Sequence, residues 1–76
     1  MEIKEFISNF ADQFDDLDYS TLTPETEFKQ LDEWNSLVAL SVIAMIDEEY
    51  DVTIKGNDIT GATTIEDLFK IVSERM

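Results

Sequence analysis

Neither cysteine nor histidine occurs among the 76 residues of this chain. Without cysteine there is no disulfide, no redox dithiol and no thiolate metal site. Without histidine the chain lacks the side chain best suited to proton transfer near neutral pH, and with it any triad that uses a histidine base. A hydrolase or zinc enzyme has little to work with, so the chain reads as non-catalytic. Bases are also scarce: 5 Lys and Arg face 18 Asp and Glu, a formal net charge of −13. Such a surface repels nucleic acid and anionic lipid, whose binding needs cations to neutralise phosphates, and it favours partners with basic patches. Long apolar runs are missing as well. Val42–Ile46 is closed off by Asp47, far short of the roughly 20 residues of a membrane span. Met1-Glu2-Ile3-Lys4-Glu5 has neither the basic nor the apolar region of a signal peptide. The expectation is a cytoplasmic monomer with no nucleic-acid and no membrane partner.

What is present is a periodic apolar pattern. The length allows one domain, residues 1–76, and the apolar fraction of 43% supports a modest core and argues against disorder. Ile3, Phe6, Ile7, Phe10 and Phe14 recur at spacings of three and four and predict a helix that stops near Phe14, before Asp15, Asp16 and Asp18 crowd its negative end. Residues 15–35, interrupted by Pro24, read as a long loop pinned by Leu17, Leu22, Phe28 and Leu31. Loops of that length in small domains tend to be functional. A second helix is expected from about Ser36 to Tyr50. Its Ala39, Val42, Ile43, Ile46 and Tyr50 are expected to face the core, with Val38, Ser41, Met45 and Glu48 opposite and Leu37, Leu40 and Ala44 on a flank. That apolar surface is wider than the stripe of about 100° a core needs, so part of it should be exposed or line a groove. Lys55-Gly56-Asn57-Asp58 is turn chemistry, with a short helical turn near Asn57–Thr60 ended by Gly61. The last helix opens on Thr63 and Glu66, or on Thr64 and Asp67 one step along, the spacing of a capping box. It presents Ile65, Leu68, Phe69 and Val72 on its apolar face. The fold class is therefore all-α: three main helices, a short extra turn and a long first loop.

The informative stretch is Leu31-Asp32-Glu33-Trp34-Asn35-Ser36-Leu37, where a serine stands at the junction of loop and amphipathic helix. Its plainest role is an N-cap. The same position suits a phosphate ester, which would meet unpaired N–H groups and the positive end of the helix dipole. Here the chain resembles the acyl carrier proteins, whose motif is Asp-Ser-Leu at the start of the second helix. Thr23-Pro24-Glu25-Thr26-Glu27-Phe28 is similar to the family's loop, Ile46-Asp47-Glu48-Glu49-Tyr50 to the acidic end of its second helix, and Thr64-Ile65-Glu66-Asp67-Leu68 to the opening of its last. The resemblance implies a small helical carrier whose Ser36 bears covalent 4′-phosphopantetheine, taken from coenzyme A by a phosphopantetheinyl transferase. It implies further that the chain delivers acyl thioesters to synthases and transferases of fatty-acid, polyketide or related biosynthesis. The docking surface it implies comprises Asn35, Leu37, Val38, Leu40, Ser41, Met45 and Glu48. Three positions depart from the family pattern. Asn35 stands where the family has aspartate, and Val38 and Ser41 stand where fatty-acid carriers are often acidic. The negative stripe is thereby confined to Asp47, Glu48 and Glu49, which suggests a dedicated partner set that docks partly through apolar contact.

Other readings compete for some of these residues. Asp16, Asp18, Ser20 and Glu27 match EF-hand positions, but Thr21 stands where the sharp turn requires glycine and Pro24 lies inside the loop, so no metal is expected. Trp34 reads as a loop anchor ahead of a ligand contact. Met45 reads as an exposed, adaptable contact. The alternative to a carrier is an acidic helical adaptor that binds a basic protein and has no prosthetic group.

Overall fold

A computed structural model describes residues 2–15, 17 and 19–76, with the backbone alone at Tyr19. Among them four helices follow one another: α1 (Ile3–Ala11), α2 (Ser36–Tyr50), α3 (Gly56–Gly61) and α4 (Ile65–Arg75). Two 3₁₀ turns, Tyr19–Thr21 and Phe28–Gln30, lie in the loop between α1 and α2. No strand occurs among the described residues, and the expected all-α bundle of three longer helices and one short one is what forms. Asp16 and Asp18 of the EF-hand reading lie outside the described residues. Among the described residues no helix is long and apolar enough to cross a membrane.

α1 is the spine. Its i, i+4 pair of phenylalanines is fully buried and reaches in two directions. Phe6 packs against Tyr50 at the end of α2 and Phe69 of α4, with ring centroids 5.8 and 5.5 Å away. Phe10 packs against Phe28 and Trp34 of the long loop, 5.5 and 6.3 Å away. The helix ends earlier than the periodicity predicts, at Ala11. From there Gln13 and Phe14 donate to carbonyls three residues back, Phe10 and Ala11, so a tighter turn carries Phe14 into the core. Phe14 is buried all the same, with its ring 5.5 Å from Phe10 and 6.3 Å from Trp34.

The long loop is irregular yet well anchored. Leu22 and Phe28 are buried, and Leu17, Leu31 and Trp34 pack partly buried on the core. Its backbone also has a task. The Pro24 and Thr26 carbonyls accept from the N–H groups of Glu66 and Ile65, at 2.9 and 3.1 Å, which satisfies two donors that the first turn of α4 leaves unpaired. The α4 cap is Thr64 with Asp67, the second of the two possible registers. Thr64 Oγ1 accepts from the Asp67 N–H, and Asp67 Oδ2 accepts from the Thr63 and Thr64 N–H groups, each at 3.1 Å. With Thr64 as cap, Ile65, Leu68 and Val72 are fully buried. These backbone donors hold the Asp67 carboxyl below its ordinary range.

α2 stops at Asp51, whose left-handed backbone (φ 56°, ψ 39°) a short polar residue tolerates. Val52 and Ile54 then bury themselves in the connection to α3. α3 is held at its start. Asp58 Oδ2 accepts from the Lys55 N–H at 2.9 Å, and Arg75 from the end of α4 grips both Asp58 oxygens at 2.7 and 2.8 Å. Arg75 also donates to the Thr53 carbonyl at 3.3 Å.

Candidate functional site

The site begins with the entry into α2. The N-cap is Asn35 and not, as the plainest reading of the sequence suggests, Ser36. Asn35 is extended (φ −157°, ψ 178°), its Oδ1 accepts from the Val38 N–H at 2.9 Å, and its carbonyl accepts from the Ala39 N–H at 3.0 Å. Asparagine caps as well as aspartate does, so the departure at this position keeps the helix start and removes a negative charge beside the serine. Ser36 is consequently the first helical residue, and it is exposed. Among the described residues none hydrogen bonds to its hydroxyl, and no acceptor takes the N–H groups of Ser36 and Leu37. A free hydroxyl next to unpaired N–H donors at a helix start is a fitting place for a phosphodiester.

Along α2 the structure corrects the expected phase. Met45, read from sequence as exposed, is 5% accessible and belongs to the core with Val42 and Ile46. Val38 is half-buried and packs on the same core. The face opposite the core is instead formed by Ser36, Leu37, Leu40, Ala44, Asp47 and Glu48, all exposed, with Leu37 75% and Leu40 63% accessible. Ser41 is half-buried at the margin. The reason lies in the helix itself. Apolar residues occur nearly all the way round α2, so its own pattern does not determine which side meets α1. Packing within the bundle does, and it buries Val42, Met45 and Ile46, with Val38 half-buried beside them. The residues left outside are a leucine pair beside Ser36 and acids one turn and more further on.

Beside Ser36 an open cleft of about 520 Å³ separates α2 from α3. Trp34, Asn35, Ser36, Ala39, Leu40 and Ile43 form one wall; Gly56, Ile59 and Thr60 of α3, with Lys29 from the loop, form the other. Trp34 both anchors the loop, 5.0 Å edge-on to Phe28, and lines this cleft. Sequence reasoning does not single out Lys29, Ile59 or Thr60. A signal exists only for Lys29, one of five basic residues and adjacent to the buried Phe28.

Fold and site together define a class: a small helical domain that presents an uncommitted serine at the start of a helix with an apolar outer face. The family follows from comparison. Residues 5–72 match the family model described as the phosphopantetheine attachment site, and the chain belongs to that family. The group attached to this domain is covalent 4′-phosphopantetheine. No curated protein matches the chain.

Proposed function

We propose that this chain is an acyl carrier, one domain over residues 1–76, that Ser36 is its attachment residue, and that it works in the cytoplasm as a non-catalytic monomer. The observation that carries the assignment of Ser36 is the division of labour at the start of α2. Asn35 does the capping, so the Ser36 hydroxyl can be esterified without loss of the helix start. In the transferase reaction Ser36 Oγ forms a bond to the phosphorus of coenzyme A's pyrophosphate nearest the pantetheine. The P–O bond to the nucleotide breaks, the nucleoside bisphosphate leaves, and the hydroxyl proton passes to a base or to solvent. The unpaired N–H groups of Ser36 and Leu37 then face the phosphodiester. The prosthetic group supplies the thiol that the chain lacks, and acyl groups travel on it as thioesters.

Docking follows from the outer face of α2. Leu37 and Leu40 flank Ser36, with Asn35 and Ser41 beside them and Glu48 further along. A partner that receives the arm must cover these residues at once. An apolar patch with an acidic rim fits a partner site that is apolar at its centre and basic at its edge. Phosphopantetheinyl transferases and the acyl-processing synthases and transferases of fatty-acid, polyketide or related biosynthesis are the partners this surface would serve. The experiment is intact mass after co-expression with a transferase. One phosphopantetheine should be added, and none to Ser36→Ala, whose circular dichroism should stay that of the parent. An unmodified parent in the presence of several transferases would leave the adaptor reading in its place, and modification of the Ala variant would move the site.

A further inference from the structure

The cleft beside Ser36 is unlike the rest of the surface. Acids outnumber bases 18 to 5 in the chain, yet among the described residues no carboxylate lines this cleft, and the one charged residue in its walls is Lys29. Lys29 Nζ donates to the Thr60 carbonyl in the last turn of α3 at 2.8 Å and lies 6.0 Å from the Phe28 ring centroid. Among the described residues it has no carboxylate partner, whereas Lys70 and Arg75 each have one. An ammonium has three N–H donors, so two remain for an occupant. The remaining lining is largely apolar: Trp34, Leu40, Ile43 and Ile59.

We propose that this cleft receives the cargo end of the loaded arm, and that Lys29 is a specificity-determining residue that favours acyl groups ending in a carboxylate over plain hydrocarbons of the same length. The inference rests on attachment at Ser36. An alkyl terminus reaching Lys29 would take water from its ammonium and offer nothing in return, which costs free energy. A carboxylate there forms a charge-assisted hydrogen bond, roughly twice as strong as a neutral one. The arm's own phosphodiester is the less suitable anion. It is fixed to the Ser36 oxygen at the start of α2, where free N–H groups await it, while Lys29 is tied to the α3 wall.

The test loads the apo chain with coenzyme A, butyryl-coenzyme A or succinyl-coenzyme A through a transferase of broad specificity. The two acyl groups have equal carbon counts and differ in a terminal methyl or carboxylate. Intact mass is read first, so that failure to load counts against Ser36 as the attachment residue and is seen separately. Amide NMR shifts at Ile43, Ile59 and Thr60 and the thermal midpoint are then compared with the unacylated arm. The succinyl form should give larger shifts than the butyryl form, with a higher midpoint, and the excess should shrink in high salt. Lys29→Met should load equally well and lose the difference between the two cargoes. Equal shifts from both cargoes, a difference that survives Lys29→Met, or full perturbation by the unacylated arm would each overturn the proposal.

Discussion

α2 and α4 differ in how they divide their apolar residues. On α4 the buried set is Ile65, Leu68 and Val72, and the other faces are half-buried or exposed and mostly polar. On α2 the buried set is as small, Val42, Met45 and Ile46, yet Leu37 and Leu40 stay in water. One helix commits its apolar residues to the core, and the other holds a second set outside it. The two exposed leucines lie next to the serine, on the face proposed above for docking.

The sharpest way to break this comparison is to place a charge on each side of α2. Met45→Asp should cost upward of about 3 kcal/mol, because the carboxylate would be buried without a partner. That approaches the whole stability of a domain this small, about 5 kcal/mol, so loss of the cooperative melting transition at neutral pH is expected. A Met45→Asp variant that melts like the parent would put Met45 outside the core and require α2 to be rotated about its axis.

The same contrast explains what can be read in advance. α1, α4 and the existence of α2 from Ser36 to Tyr50 are legible, because spacing, caps and breakers agree there. The rotation of α2 is not. With leucine, valine, isoleucine and methionine on most sides, several phases bury equal apolar area, and only the neighbouring helix chooses among them. The end of α1 falls a turn earlier than its pattern implies because a turn with hydrogen bonds three residues back follows Ala11 and keeps Phe14 buried while ending the α-helix. At the candidate site, the serine stands out by its place between loop and helix. Its freedom from capping does not, since Asn35 and Ser36 are both good caps and the backbone alone decides between them. The cleft needs α3 and the loop brought together across 31 residues, from Lys29 to Thr60, a pairing no local pattern announces.

The two helix starts offer a milder comparison. Asn35→Ala and Thr64→Ala should each cost about 1 kcal/mol, the usual worth of a side-chain cap, while Asn35→Asp should be close to neutral because the carboxylate accepts the same Val38 N–H. Urea titration of the three variants checks this. An Asn35→Ala variant as stable as its parent would mean that the Asn35 side chain does not hold the helix start, and with it that the division of labour between Asn35 and Ser36 fails.

The Arg75–Asp58 clamp ties the end of α4 to the start of α3, and its contribution depends on pH in a definite direction. Arg75 above all, with the Lys55 N–H, holds the Asp58 carboxyl at about 2, below its ordinary 3.8. A carboxyl depressed in the folded state contributes stability that is fully present above the unfolded value and lost as pH falls through the folded one. The melting temperature of Arg75→Met should therefore lie modestly below that of the parent at pH 5, and the gap should close between pH 3.8 and about 2. A gap that persists at the acid end would show that Arg75 acts through packing and the Thr53 carbonyl.

The smallest expected change in stability accompanies the largest expected change in partner turnover. Leu40 is 63% exposed on the outer face of α2, so Leu40→Asp should alter stability by no more than about 0.5 kcal/mol. In a docked complex the same side chain would lie under the partner, next to the esterified serine, where an aspartate would be desolvated without a counter-charge. Acyl transfer by the cognate synthase should then fall at least about tenfold, as expected for a buried contact worth more than about 1.4 kcal/mol. Glu48→Gln tests the acidic rim by comparison. It should slow transfer mainly at low ionic strength, since exposed charges steer encounter and are screened by salt. Both variants are to be measured with the arm attached and its loading verified by mass, so that a defect in modification is not mistaken for one in docking. If Leu40→Asp transfers like the parent while Glu48→Gln does not, the partner reads charge alone, and the exposed leucines have some other purpose.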